Sequence, residues 1–299
     1  MKHFLSLEEH SGEYLRAVLD RAGELKRMRG DETFQPLKGQ TWALIFSKSS
    51  TRTRVSFEVG IRELGGRAMF LSSRELQLGR GEPIKDTARV LGRMVHGAVI
   101  RTFSHQEIVD FATFSEIPTI NALTDHAHPC QIMADLLSIR EKLGSIEDRV
   151  ITFIGDGACN VATSWIYAAA KFGFQLRVAA PEGFQPSGEL LRAAKGQVIV
   201  TEDVNEAANQ ADVLYTDVWV SMGMEEEAEA RARVFAGYQI NSKVLARAKE
   251  SALVMHCLPA YRGKEITEEV LEAHQQTIFD QAENRLHAQK GVICSLLGV

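Results

Sequence analysis

Cysteine is scarce in this chain, with four in 299 residues, at positions 130, 159, 257 and 294. Their spacing fits no zinc pattern, and so few in a chain of this length make no disulfide framework. The expectation is a reduced, cytoplasmic protein without a structural metal. No apolar run is long enough to cross a bilayer, so no membrane partner is expected. The opening MKHFLSLEEHSGEYL turns charged too soon to read as a signal peptide. Long basic runs and interleaved basic and aromatic residues are also missing, which argues against nucleic acid as a partner. Net charge is −5, so any anion must be met by a local site and not by the overall field. Internal repeats, low-complexity tracts and flexible linkers are absent. What remains is ordinary for a soluble globular protein, with 45% apolar and 24% charged residues.

That length suits two domains better than one core. Ser6 with Glu9 reads as a capping box ahead of an amphipathic helix carrying Tyr14, Leu15, Val18, Leu19, Ala22 and Leu25 on one side. Strand-like runs follow near 41–46, 97–102, 119–123, 149–154, 175–180, 197–200, 212–216 and 252–256. Helix-like segments such as 84–96, 128–144, 160–173, 187–195 and 241–249 lie between most of them. Alternation of this kind predicts an α/β protein whose domains are mainly parallel sheets flanked by helices. The boundary is expected near Gly144, giving domains of 1–144 and 145–280. Residues 281–299 read as a closing helix, whose return to the first domain periodicity alone does not show and the family resemblance described below implies.

In open parallel sheets, ligands bind beyond the carboxyl ends of the strands. The predicted strand ends carry Ser49-Ser50-Thr51-Arg52-Thr53-Arg54, Arg101, His126 to Gln131, Gly155 to Asn160, Asp217 to Gly223, and Cys257 to Ala260. A helix starting at about Thr51 offers free N–H groups and a positive dipole end to a phosphate. Ser50 and Thr53 add hydroxyls, and Arg52 adds a charge-assisted fork. A plainly capped helix would also read this way, but arginine in the first turn opposes the dipole. It is not a Walker loop, because the glycines and the Lys-Ser/Thr ending are missing. Arg54 lies two positions from Arg52 and is expected to point elsewhere, into a structural ion pair. Gly155-Asp156-Gly157 fits a dinucleotide fingerprint poorly, since Asn160 stands where a third glycine belongs. A tight turn carrying Asn160 at a helix start is the plainer reading. Pro129 at a helix start puts His128 at the cap and Gln131 on the first turn. Cys257 lacks an evident partner base, since the adjacent His256 should face the other way along a strand. A thiolate nucleophile is therefore not expected.

Taken together, Ser-Thr-Arg-Thr-Arg (50–54), His-Pro-Cys-Gln (128–131), Asp217 with Ser-Met-Gly (221–223) and His-Cys-Leu-Pro-Ala (256–260) resemble the ornithine carbamoyltransferases. The resemblance spans essentially the whole chain in the family's order. It implies one domain for carbamoyl phosphate, one for the amino acid, and a homotrimer with active sites at subunit interfaces. It implies that Ser50, Thr51, Arg52 and Thr53 hold the phosphate with Arg101, and that His128 and Gln131 lie near the carbamoyl group. Gln77 corresponds to a position that reaches a neighbouring subunit's site. Asn160, Asp217, Ser221 and Met222 correspond to ornithine-binding positions. Cys257 and Leu258 correspond to positions between the substrates, and Arg285 completes the carbamoyl-phosphate set. Arg52, Arg101, His128 and Cys257 are the expected catalytic residues. No metal or redox cofactor is required.

The expected reaction gives citrulline and phosphate, in the direction of arginine biosynthesis. Aspartate carbamoyltransferases share the phosphate motif but resemble His-Pro-Leu-Pro at the later loop. A putrescine carbamoyltransferase needs no carboxylate clamp, against Ser221-Met222-Gly223. N-acetyl- or N-succinyl-ornithine remains an alternative acceptor, with Asp217 the main feature favouring a free α-ammonium. A non-catalytic binding protein of the same fold would have lost part of this set. A nicotinamide-dependent dehydrogenase rests only on the imperfect glycine turn.

Overall fold

A computed structural model describes residues 3–72, 82–194, 196–220 and 225–299. It divides into two compact units. The first is Met1–Leu137 with Glu283–Val299, and the second is Ser138–Ala282.

The first unit holds a parallel five-stranded sheet of β1 (His3–Phe4), β2 (Thr41–Phe46), β3 (Arg67–Ser72), β4 (Gly97–Arg101) and β5 (Thr119–Leu123). Their order is β1-β5-β4-β2-β3. The helices are α1 (Gly12–Arg27), α2 (Thr51–Glu63), α3 (Ile84–Leu91), α4 (His105–Ser115) and α5 (Pro129–Leu143), whose last turns pass into the second unit. The central strands read as continuous apolar runs because both faces are covered. In β4 every residue is buried. Ile45, Ala98, Ile100, Ile108 and Phe111 form one core cluster.

The second unit repeats the architecture. β6 (Val150–Ile154), β7 (Gln175–Ala179), β8 (Val198–Thr201), β9 (Val213–Thr216) and β10 (Leu253–His256) form a parallel sheet of order β10-β9-β6-β7-β8. Its helices are α6 (Asn160–Phe172), α7 (Gly188–Ala193), α8 (Val204–Ala208), α9 (Ala228–Val234), α10 (Ser242–Leu245), α11 (Glu268–Ala273) and the start of α12 (Gln275–Leu297). Ile154, Leu214, Phe235, Val254 and Ile278 anchor its core.

Four expectations change. Ser6 does not cap the first helix, because its hydroxyl accepts the N–H of Glu8 within a local turn. Ser11, extended at ψ 152°, caps α1 by accepting from Tyr14 N–H. The helix expected over 84–96 stops at Leu91, since α3 closes on Gly92, where any side chain would collide with the Ser115 carbonyl. The closing helix begins at Gln275, not Gln281, with Ile278 buried on its first turns. Strands β1 and β3 lie at the two sheet edges and were not expected. One is only two residues long and the other is half-exposed along its length, so neither carries a strong apolar signal.

Each sheet has a switch point, where the chain turns from adding strands on one side to adding them on the other. In the first sheet it lies between β2 and β4, where Phe46 pairs with Arg101. In the second it lies between β6 and β9, where Ile154 pairs with Thr216. Four of the six polar strand ends singled out above follow these strands, and the other two, His126 to Gln131 and Cys257 to Ala260, follow their neighbours β5 and β10.

Candidate active site

At the first switch point, β2 runs through a short turn into α2. Ser50 is the cap, extended at φ −163° and ψ 110°. Its hydroxyl oxygen accepts the N–H of Thr53 at 3.3 Å, and its proton goes to Thr53 Oγ1 at 2.9 Å. Arg285, on α12, donates to that same oxygen from Nη2 at 2.7 Å. Thr53 is fully buried and Arg285 nearly so. Thr51 and Arg52 stand exposed on the same first turn, with no acidic residue there to oppose an anion. The remaining N–H groups of the turn and the helix dipole favour negative charge. Arg101 ends the neighbouring strand, buried, with its carbonyl accepting from Ser47 N–H at 2.8 Å.

His128, buried just before α5, belongs to the same electrostatic environment. Burial, then the charges of Arg285 and Arg101, hold its imidazole well below the ordinary value. The ring is therefore neutral near pH 7 and has one N–H to give. Gln131 is buried one turn further on, and its amide donates to Asp135 Oδ1 at 2.8 Å. Cys130 between them donates to the Asn121 carbonyl, and burial pushes its thiol up to about 12. It is not a nucleophile. Hydroxyls, guanidinium groups and a neutral imidazole thus lie at one end of this sheet, groups of the kind that stabilise negative charge.

The second switch point carries an acid and a thiol. Asp217, following β9, accepts the N–H of Val218 at 2.7 Å and the thiol of Cys257 at 2.8 Å. Burial raises its carboxyl above the ordinary value, with the hydrogen bonds from the Cys257 thiol and Val218 N–H pulling the other way. Asn160 opens α6, where Cys159 is the cap, its sulfur accepting from Ala162 N–H. Burial, and then the carboxylates of Asp217 and Asp156, push the Cys159 thiol well up. The turn before it needs small residues, since a Cβ on Gly157 would lie 2.8 Å from Val178 Cγ1.

Cys257 and Leu258 follow β10. Leu258 adopts φ +57°, rare for a branched side chain, and its bond to Pro259 is cis. Ligand atoms of Asp217, His256 and Cys257 lie within 4.8 Å of one another, the one such trio among the described residues. Asp217 and Cys257 are bonded to each other, while both ring nitrogens of His256 are engaged elsewhere, with Leu258 N–H and Glu265.

Eight candidates thus gather in the first unit (Ser50, Thr51, Arg52, Thr53, Arg101, His128, Gln131, Arg285) and four in the second (Asn160, Asp217, Cys257, Leu258). Gln77, Ser221 and Met222 lie outside the described residues. Arg54 pairs with Glu58 at 2.7 Å and stacks over Phe70, the structural role expected of it. Sequence reasoning missed several supporting residues. Lys48 is buried, 2.6 Å from Asp125 and 4.0 Å over the Phe103 ring. Asp135 was legible as the i+4 partner of Gln131 on a helix. Glu265 and Arg231 gave no local signal. Arg231 joins Asp156, the Trp219 carbonyl and Glu227, three separate segments of the second unit.

Comparison with known proteins gives a consistent outcome. Residues 2–141 match the family described as aspartate/ornithine carbamoyltransferase, carbamoyl-P binding domain. Residues 147–296 match its Asp/Orn binding domain. An ornithine carbamoyltransferase of Akkermansia muciniphila is 56% identical, covering 99% of this chain and 98% of the relative. The anabolic ornithine carbamoyltransferase of Pseudomonas aeruginosa is 49% identical over 98% of this chain and 96% of its own. Among solved structures, the anabolic enzyme of Campylobacter jejuni superposes with a TM-score of 0.94 at 42% identity, covering 100% of this chain and 99% of that one.

Proposed function

This chain belongs to the aspartate/ornithine carbamoyltransferase family, and from that premise we propose how its two groups of residues divide one reaction. It is a carbamoyltransferase, and its acceptor is ornithine. The carbamoyl group of carbamoyl phosphate passes to the δ-amine, giving citrulline and phosphate. We assign carbamoyl phosphate to Ser50, Thr51, Arg52, Thr53, Arg101, His128, Gln131 and Arg285, with Gln77 from a neighbouring subunit of a homotrimer. Ornithine falls to Asn160, Asp217, Ser221 and Met222. Cys257 and Leu258 attend the reacting groups.

The chemistry asks for these types. A neutral δ-nitrogen attacks the carbamoyl carbon, the new C–N bond forms, the C–O bond to phosphate breaks, and the nitrogen sheds a proton. Negative charge grows on the carbonyl oxygen and then on phosphate. Arg52, Arg101 and the N–H of neutral His128 stabilise it. A protonated His128 would carry positive charge next to Arg285 and Arg101, which the site disfavours. Asp217 suits the α-ammonium, and the Cys257 thiol, tied to it, places the δ-amine without forming a thioester. Holding both substrates in attack geometry contributes much of the rate. The role is anabolic, in arginine synthesis, and the compartment is the cytoplasm.

The observation that carries this reading is the grip of Ser50 and Arg285 on the Thr53 hydroxyl at the cap of α2. It supports reading this helix start as a fixed, cationic seat for phosphate at a sheet switch point. Citrulline formation from carbamoyl phosphate and L-ornithine tests it, with aspartate, putrescine and N-acetylornithine as parallel acceptors. Turnover with ornithine alone, lost in Arg52→Ala, is the expected result. Turnover with N-acetylornithine instead would overturn the assignment of Asp217.

A further inference from the structure

Beside the contact of Asp217 with Cys257 lie two ionisable groups that the reaction above leaves without a part. His256 is 1% exposed and Glu265 is fully buried. Burying such groups is costly unless they are engaged. Their geometry fixes one arrangement of the proton. His256 Nδ1 accepts the N–H of Leu258 at 2.9 Å. A nitrogen that accepts carries no hydrogen, so the ring's proton is on Nε2, facing Glu265 Oε1 at 3.1 Å. That carboxylate oxygen also takes the N–H of Tyr261. The N–H of His256 itself goes to Gln281 Oε1 at 3.0 Å. The imidazole is therefore clamped on both edges and at its backbone.

The clamp spans the two residues of interest. An imidazole on residue 256 bonded to the N–H of residue 258 ties off the corner that holds Cys257. Leu258 sits at φ +57° there, a conformation that persists only where the surroundings over-determine it. At the far side of the corner Cys257 Sγ is 2.8 Å from Asp217 Oδ1.

We propose that His256 and Glu265 are positioning residues for the acceptor amino acid. Glu265 fixes the imidazole tautomer, Nδ1 fixes the Leu258 N–H, and the corner so held presents the Cys257 thiol to Asp217. Neither residue touches substrate. The inference rests on the assignment of Asp217 and Cys257 to ornithine. A merely structural buried pair would behave otherwise, lowering the folded fraction while leaving the ornithine KM of the surviving enzyme unchanged.

The test uses the full chain and four variants. Asparagine at 256 places an amide oxygen near the Nδ1 position, whereas glutamine reaches toward Nε2. His256→Asn should keep the ornithine KM within about threefold, and His256→Gln should raise it by about tenfold or more, because the Leu258 N–H then loses its acceptor. Glu265→Gln retains a carbonyl for Nε2–H and Tyr261 N–H and should rescue what Glu265→Ala loses. Carbamoyl-phosphate affinity should stay within about threefold in all four, since Thr53, Arg101 and Arg285 are untouched. Nitrogen-15 NMR of histidine-labelled wild type should show His256 protonated at Nε2 alone. A bare Nε2, or equal ornithine KM in His256→Asn and His256→Gln, overturns the inference. Unchanged KM with only a reduced folded fraction also overturns it. If wild type makes no citrulline, the functional reading itself fails and takes the inference with it. An active wild type with indistinguishable variants sinks the inference alone.

Discussion

The two switch points use the same topology for opposite chemistry. In the first unit, between β2 and β4, the chain offers cations, hydroxyls and a helix start, held by contacts among donors such as Arg285 to Thr53. In the second, between β6 and β9, it offers a carboxylate and a thiol. The first site draws on what any helix N-terminus supplies, and needs only the right side chains around it. The second also has a helix start, α6 at Asn160, but its ionisable groups are an acid and a thiol. Its thiol, on Cys257, sits on a particular backbone corner, with Leu258 in the left-handed region and His256 bonded across it. The first site is begun by local sequence at the head of α2 and completed by Arg101, His128 and Arg285 from far along the chain, while the second joins Asp217 to Cys257 across 40 positions.

The sharpest way to break this division is Arg52→Ala. It should lower kcat/KM by about a thousandfold or more, by removing charge stabilisation made in the transition state. Steady-state rates check it. If ornithine KM changes and carbamoyl-phosphate affinity does not, the division of labour is wrong.

Asp217→Asn comes next. Ornithine KM should rise by about a hundredfold, with carbamoyl-phosphate binding unchanged in calorimetry. Stability should move the other way. A carboxyl whose folded pKa is raised favours folding less once pH exceeds its unfolded pKa, and that cost is complete above the folded value. Removing it should leave the melting temperature at neutral pH unchanged or higher, as expected where function and stability conflict.

Thr53→Val takes the shared acceptor from Arg285 and Ser50. It should cost about 1–3 kcal/mol in unfolding free energy and weaken carbamoyl phosphate about tenfold. Denaturant titration and binding calorimetry would show both. An effect on ornithine KM alone would contradict the seat described here.

A smaller effect follows from His128. Its folded pKa is depressed, so below the ordinary value of about 6.5 the unfolded chain binds a proton that the native ring refuses. Stability should therefore fall as pH drops from about 6.5 toward the folded pKa. His105, His274 and His287 are also lowered, first by burial, and share that slope. His128→Asn should flatten it without abolishing it. The smallest change belongs to Arg54→Ala, where an exposed pair and a ring contact are lost, about 0.5–1 kcal/mol.

Legibility in the sequence follows the same line. The start of α2 at Thr51 and the end of β2 at Phe46 were readable, because a buried apolar run gave way to a cap and a first turn. Gln131 was readable at the head of α5. The first helix was misread by five residues, because Ser6 and Glu9 make a capping-box pattern that Ser11 lacks, and only the local turn of Ser6 takes its hydroxyl out of that role. Edge strand β3 escaped, since pairing on one side only leaves its faces half-exposed. Arg231 reaches Asp156 across 75 positions, beyond any periodic pattern.

The sequence by itself determined the alternation of strand and helix, the six strand ends that bear polar residues, and the donor types at the first site. Burial periodicity and helix-start chemistry are local, so residues within a few positions of one another suffice to specify them. Only the tertiary structure decided that Arg285 would meet Thr53, that His128 would be neutral between Arg101 and Arg285, and that Cys257 would turn onto Asp217. Each of those depends on groups far apart in the chain, brought together when apolar faces are buried, and their energies exist only once water has been excluded around them.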